Sequence, residues 1–123
     1  MLAERNPTAA YRRVEFDARV SASDPRQLLA LCYEQLIAAL GSALFADEKS
    51  DNRLKSESLT RAISAITALQ LGVSENGGLA DVLHQLYTAA RQAILGNVLS
   101  FDPQKIAEIR QDFIDISTAI ANS

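Results

Sequence analysis

SASDPRQLLALCYEQL, residues 21–36, holds a helix start, a run of leucines and the only cysteine of the chain beside a tyrosine. Asp24 is a good N-cap, Pro25 has a backbone angle already set for a first helical position, and Gln27 stands three residues after the cap. From there Leu29, Cys32, Leu36, Ala39 and Ala43 recur at the three-four spacing of a packed helix face. A second row, Tyr33, Ile37, Leu40 and Leu44, lies beside the first, and Leu28 widens the stripe. About half of the helix circumference is therefore apolar, more than a surface helix needs. This predicts the most buried helix of the molecule, ending near Ala46.

Asp47 to Asn52 is a polar connection, and a second helix is expected from about Asp51 to Leu71, with Leu59, Ala62, Ile63, Ile66 and Leu69 on one face. Gly72 suits a left-handed stop, and GVSENGG, residues 72–78, reads as a breaker and loop. A third helix, Leu79 to Leu99, presents Leu79, Leu83, Leu86, Tyr87, Ala90, Ile94 and Val98. The chain then repeats its opening device in FDPQK, with Asp102 as cap and Pro103 in the first turn. The last helix carries Ile106, Ile109, Phe113, Ile116 and Ile120 at 3-4-3-4 spacing. No alternating strand pattern is present. Helices of this length joined by short connections lie antiparallel, so the expected fold is all-α, an antiparallel up-down four-helix bundle over residues 23–123. Residues 1–22 lack the helical period and read as an N-terminal arm with at most one short helix, anchored by Tyr11, Val14, Phe16 and Val20.

Composition narrows the function. A chain of 123 residues, 48% hydrophobic and 22% charged, is expected to be one soluble domain. No uninterrupted apolar run approaches the roughly 20 residues of a membrane span, and the N-terminus shows no export signal. Neither membrane insertion nor secretion is expected. A lone cysteine cannot cross-link the domain, which suits a reducing cytosol. The net charge of −3 and the lack of a basic stripe argue against nucleic acid. Charge is uneven: residues 1–26 hold five arginines against four acids, while the remainder holds seven bases against eleven acids.

The chemistry of catalysis is missing. Cys32 falls on the apolar seam, where burial raises a thiol pKa, and the only histidine, His84, lies on another helix. Asp81 and His84 are three apart, but a bundle metal site needs a second such pair. No catalytic residue, metal or cofactor is expected. A histidine phosphotransfer domain is the sharper alternative, yet His84-Gln85-Leu86-Tyr87-Thr88 lacks the lysine and glycine that favour a phosphoryl group on such a histidine.

Apolar residues left over from the core point elsewhere. By helical angle Leu31 lies opposite Leu29 and Leu36, Leu71 leaves the main face of its helix, and Leu95 and Leu99 point away from theirs. Ile114 sits off the seam of the last helix, in a shallow row with Ala107, Thr118 and Ala121. Large apolar residues flanked by small ones form a groove where another helix fits. The N-terminal arm, a weak homodimer acting as a helical interaction module, or a partner would each cover these positions.

Tyr11, Val20, Ser23-Asp24-Pro25 and Leu28-Leu29-x-Leu31-Cys32-Tyr33-Glu34, in this order, resemble the flagellin-export chaperone family FliS. The likeness continues through the polar break, the Gly77-Gly78 pair and Leu83-x-x-Leu86-Tyr87. It departs at Arg12-Arg13, at Glu34-Gln35-Leu36, and in having no aromatic residue after Phe113. The resemblance implies a cytosolic chaperone that binds the disordered C-terminal segment of flagellin and prevents its premature polymerisation. It would then deliver flagellin to an export-gate component of the flagellar type III secretion apparatus. Tyr11 matches the family's N-terminal tyrosine, in an arm thought to cap part of the client surface. Together with the angular reading, the expected client contacts are Tyr11, Val14, Phe16, Leu31, Tyr33, Leu71, Leu95 and Ile114.

Overall fold

The computed structural model describes residues 7–22, 24–73 and 78–122, with side chains except at 7, 20–22 and 78. These residues form five α-helices and no strand: α1 (Pro7–Ala22), α2 (Pro25–Glu48), α3 (Asn52–Gly72), α4 (Gly78–Leu99) and α5 (Pro103–Ala121). The chain is all-α. It divides into two compact units, Met1–Leu31 and Cys32–Ser123, and the boundary falls inside α2.

In the first unit, residues expected to be a mostly irregular arm form a helix of 16 residues. Its composition explains the difference. After Pro7 the segment contains no glycine or proline, and Ala9, Ala10, Arg12, Arg13, Glu15, Ala18 and Arg19 all have good helix propensity. An amphipathic period is one route to a helix, and propensity is another. Tyr11 and Val14 are exposed and Phe16 is half-buried, while the side chain of Val20 and residue Ser23 lie outside the described residues. The start of α2 is as expected. The Gln27 N–H donates to Asp24 Oδ1 at 2.8 Å, and the Asp24 N–H donates to Gln27 Oε1 at 3.0 Å. Two backbone donors that a helix start would otherwise leave open are thus met reciprocally.

In the second unit the corners are built from backbone and short polar side chains. α2 ends with Ser50 in the left-handed region, at φ 55°. The Ser50 N–H donates to the Asp47 carbonyl at 3.1 Å and the Asp51 N–H to the Ala46 carbonyl at 2.8 Å, the paired bonds of a Schellman closure. Asp51 then caps the next helix, its Oδ1 accepting from the Leu54 N–H at 3.0 Å. One residue so closes α2 and opens α3. Gly72, expected as a left-handed stop, is instead the last helical residue, and extended Val73 ends α3. Between α4 and α5, buried Asn97 donates to the Ala93 carbonyl and accepts the N–H of Asp102. Asp102 in turn caps α5 by accepting the Lys105 N–H.

Side chains tie the helices together in pairs. Ser58 donates to Ser42 at 2.8 Å, and Lys55 pairs with Asp47 at 3.0 Å while standing 4.8 Å from the centroid of Phe101. Arg91 donates to Thr67, and Gln70 to Thr88. Tyr33 meets both Tyr87 and Phe113, and Arg110 donates to the carbonyl of Ile37. The core is filled by Leu36, Leu40, Leu59, Ile66, Ile94, Ile106 and Phe113, most of them with no exposed surface.

Several expected core residues lie outside it. Leu79, Val98 and Ile120 are exposed although each falls on the apolar face of its helix. All three sit in a terminal turn, where the face has no further turn beside it to complete the packing. Leu31 departs the other way, being buried at 4% exposure. The angular reading gave α2 one packed side, whereas its buried residues, from Leu31 and Tyr33 to Leu36, Ala39 and Leu40, cover more than half of its circumference. By length and composition α2 would also suffice to cross a membrane, because its polar residues interrupt the apolar run without making the helix polar. Core helices meet the same description, and Leu36, Ala39, Leu40, Ala43 and Ala46 have no exposed surface at all.

Ser50 offers a test of the first corner. A left-handed backbone suits glycine and strains any residue with a Cβ. Ser50→Gly is expected to raise stability by about 0.5–1 kcal/mol, read as a higher urea midpoint with an unchanged slope.

Candidate functional site

Three aromatic rings meet at the centre of the second unit. Tyr33 from α2, Tyr87 from α4 and Phe113 from α5 lie with ring centroids 5.6 to 6.3 Å apart. Both phenols are essentially inaccessible, at 2% and 1% exposure, and their hydroxyls are 2.8 Å apart. Burial raises the pKa of Tyr33, and its bond to Tyr87 and that neighbour's charge act in the same direction. Burial also raises Tyr87, outweighing the bond from Tyr33, which acts to lower it. The pair stays neutral through the physiological range. It is a packing device: neither phenol reaches a surface where a reacting group would sit.

Cys32 is half-buried, and its thiol is pushed up by desolvation, away from the thiolate that nucleophilic chemistry requires. Among the described residues no group of three or more His, Cys, Asp and Glu side chains is placed to hold a metal ion. His84 lines a shallow, open depression on α4 with Gln85, Thr88, Ala89 and Gln92, none of which carries charge.

The outward features are apolar. Leu71 is 83% exposed near the end of α3, and Leu95 and Leu99 are exposed near the end of α4. Val82, Leu86, Ala89, Ala93 and Gly96 repeat at 4-3-4-3 spacing along α4 and fall within about 80° of one another at 100° per residue. That stripe stands roughly 110° round the helix from the buried row of Tyr87, Ala90 and Ile94. Val82, Ala89 and Gly96 are exposed, and Leu86 and Ala93 are half-buried. A Cβ built on Gly96 would meet nothing within 4 Å.

The residues expected to contact a partner therefore separate into groups. Tyr11, Val14, Leu71 and Leu95 are exposed, and Phe16 and Ile114 are half-buried. Leu31, expected to point outward, is buried, and Tyr33, expected both in a packed row and among the client contacts, is buried and committed to Tyr87 and Phe113. The α4 stripe is outside the sequence-based expectations, because the Leu83–Tyr87–Ile94 face of the same helix carries the larger side chains and the clearer period. The heptad spacing of the weaker row was the signal that would have shown it.

Exposed apolar helix faces without catalytic chemistry beside them are features of proteins that bind other chains. The family model for the flagellar protein FliS matches residues 7–120. Over 117 residues the chain is 26% identical to the flagellar secretion chaperone FliS of Vibrio cholerae, covering 94% of this chain and 86% of that one. The chain belongs to the FliS family, a family of flagellar secretion chaperones and not of enzymes.

Substituting one phenol strands the other. Tyr33→Phe or Tyr87→Phe is expected to cost about 1–3 kcal/mol, and the double substitution less than the sum, because no buried hydroxyl then lacks its partner. The pH dependence has a definite sign. A phenol raised from its ordinary 10.0 in the folded state contributes stability that is complete below pH 10.0 and declines as pH rises above it. Alkaline unfolding should therefore be shallower in the double variant, as followed by urea melts between pH 9 and about 11.

Proposed function

We propose that this protein is a cytosolic holding chaperone for flagellin. It binds the disordered C-terminal segment of the client, keeps it from polymerising, and hands it to an export-gate component of the flagellar type III secretion apparatus. The reading rests on the family and on one observation of the chain itself. Gly96 lies inside α4, where glycine costs about 0.5–1 kcal/mol relative to alanine, yet nothing within 4 Å would obstruct a Cβ there. Internal packing gives no reason for the glycine. A helix approaching from outside along the Val82–Leu86–Ala89–Ala93–Gly96 stripe does, since small residues let backbones come close.

The fold proposed to carry this surface is an antiparallel up-down four-helix bundle over residues 23–123, with residues 1–22 as the N-terminal element. Cross-helix pairs support it: as numbers rise on one helix they fall on its neighbour, as in Ser42–Ser58 with Asp47–Lys55, and Thr67–Arg91 with Gln70–Thr88. The exposed or half-buried Tyr11, Val14, Phe16, Leu71, Leu95 and Ile114 are proposed client contacts, while Leu31 and Tyr33 serve from within by holding α2 in place. The client would fold onto the surface as helices, its ordering entropy offset by buried apolar area, and no nucleotide is required.

Calorimetry with the C-terminal flagellin segment is expected to give a negative heat-capacity change, together with a gain of helical circular dichroism. The N-terminal flagellin segment should give neither, and the opposite preference would sink the proposal. Gly96→Ala should stabilise the free chain by about 0.5–1 kcal/mol while weakening client binding. Higher stability with unchanged affinity would remove the stripe from the binding surface.

A further inference from the structure

Arg110 stands midway along α5, and its side chain reaches α2. The Nε–H donates to the carbonyl oxygen of Ile37 at 3.0 Å. The guanidinium lies against Gly41, where a Cβ would come within 3.0 Å of Nε and 3.3 Å of Cζ and Nη2. A hydrogen bond and a missing methyl therefore fix the position of this cation. Its remaining donors are not used in the same way. The ion pairs Arg53–Glu57 and Lys55–Asp47 do not involve Arg110. The hydrogen bond of the Arg110 side chain is made by Nε, and among the described residues no buried side-chain nitrogen lacks a partner, so the two Nη groups are not sealed from solvent.

The charges nearby do not neutralise it. Glu108, Asp112 and Asp115 stand about 140° or more round α5 from Arg110, and Asp115 accepts from Gln111. Glu34, along the same side of α2 as Gly41, has interactions of its own. Small or apolar positions flank the guanidinium: exposed Ala38 on α2, exposed Ala107 on α5, and half-buried Ile114 one turn further on. A clamp between two helices needs only the bond to Ile37. It does not need a five-donor planar group whose two Nη groups are left for another acceptor.

We infer that Arg110 is the anchor for a carboxylate side chain on the bound client, a refinement that rests on the flagellin reading above. The chemistry follows from the group. A guanidinium fork matches a carboxylate with two parallel N–H···O bonds, and pre-positioning lowers the entropy lost in making them. The place on the helix selects the source of the carboxylate. Arg110 lies seven residues after Pro103 and eleven before Ala121, so a segment running along the seam passes it with a side chain. A chain terminus would have to stop halfway. The anchor would set the register of a client whose apolar contacts alone would let it slide.

The test uses the full chain and a synthetic flagellin C-terminal segment in calorimetry. Arg110→Gln should weaken binding about tenfold, and Arg110→Lys, which keeps the charge without the fork, should recover part of the loss. Gly41→Ala should push the guanidinium aside and weaken binding in the same direction, with the thermal melt of the free chain showing that the helices remain packed. On the peptide side, each Asp and Glu is changed singly to its amide, and the C-terminus is amidated separately. One acid-to-amide change should reproduce the loss and add nothing further in Arg110→Gln, as a double-mutant cycle requires for direct partners. Equal affinity of Arg110→Gln and wild type overturns the anchor and leaves the client reading intact. A loss matched by no acidic side chain, or matched only by amidating the terminus, also overturns it. If the wild-type chain does not bind the segment at all, the client reading and the anchor both fall.

Discussion

Burying a phenol removes its hydroxyl from water, and the fold has to supply a partner at a fixed place or lose stability. Here the two buried phenols supply each other, across 54 residues of sequence. The consequence is angular. Tyr33 can face Tyr87 only if α2 and α4 are rotated so that both rings point inward at one level, and Phe113 then closes the space from α5. Apolar packing alone tolerates slippage, because one methyl contact substitutes for another. A hydrogen bond between two inaccessible hydroxyls does not. With α2 set by that bond, its polar edges fall where the neighbours meet them: Ser42 with Ser58, Asp47 with Lys55, and the Ile37 carbonyl with Arg110.

What could be read from sequence was what short stretches of chain decide by themselves. Asp24-Pro25 with Gln27, and Asp102-Pro103, specify helix starts through bonds that span three residues, so no distant contact can overrule them. The buried rows Leu59–Ile66 and Ile106–Phe113 were equally legible, because a strong apolar period leaves one face to bury. The errors have a different cause. Gly72 was read as a left-handed stop from its type, but glycine also enters a helix, and the extended Val73 ends α3 instead. α1 is longer than the one short helix expected within residues 1–22, because its alanines and arginines favour a helix by propensity where few large apolar residues mark one.

Exposure is harder to read than periodicity because it belongs to the neighbours as much as to the residue. Leu31 and Leu71 were both assigned outward by helical angle, and one is buried while the other is 83% exposed. The difference is that α2 is packed over most of its circumference and α3 on one side only. Glycine shows the same dependence. Gly41 and Gly96 each stand within a long helix, and residue type alone gives them the same reading. Around Gly41 the space of a side chain is filled by Arg110, whereas around Gly96 it is open. Only the neighbours separate a glycine required by the fold from one that the fold could replace.

A surface meant to hold an unfolded segment faces conflicting demands. It has to offer enough apolar area to offset the ordering of its client, yet a wide contiguous patch would make the protein associate with itself. The exposed faces here resolve the conflict by dilution. Along α4, Val82 is followed on its stripe by half-buried Leu86 and then by alanine and glycine, and Gln85, Thr88 and Gln92 border it. On α3, the exposed row leading to Leu71 passes through Thr60, Ser64 and Ala68. Small residues contribute little area to a flat encounter with another folded surface. They contribute close approach to a helix that lies along them, which only a segment free to fold in place can fully use. In the proposed role, a pattern that offers little area to a second folded copy would still suit a flexible amphipathic client, and selectivity would arise from the shape of the partner as much as from its composition.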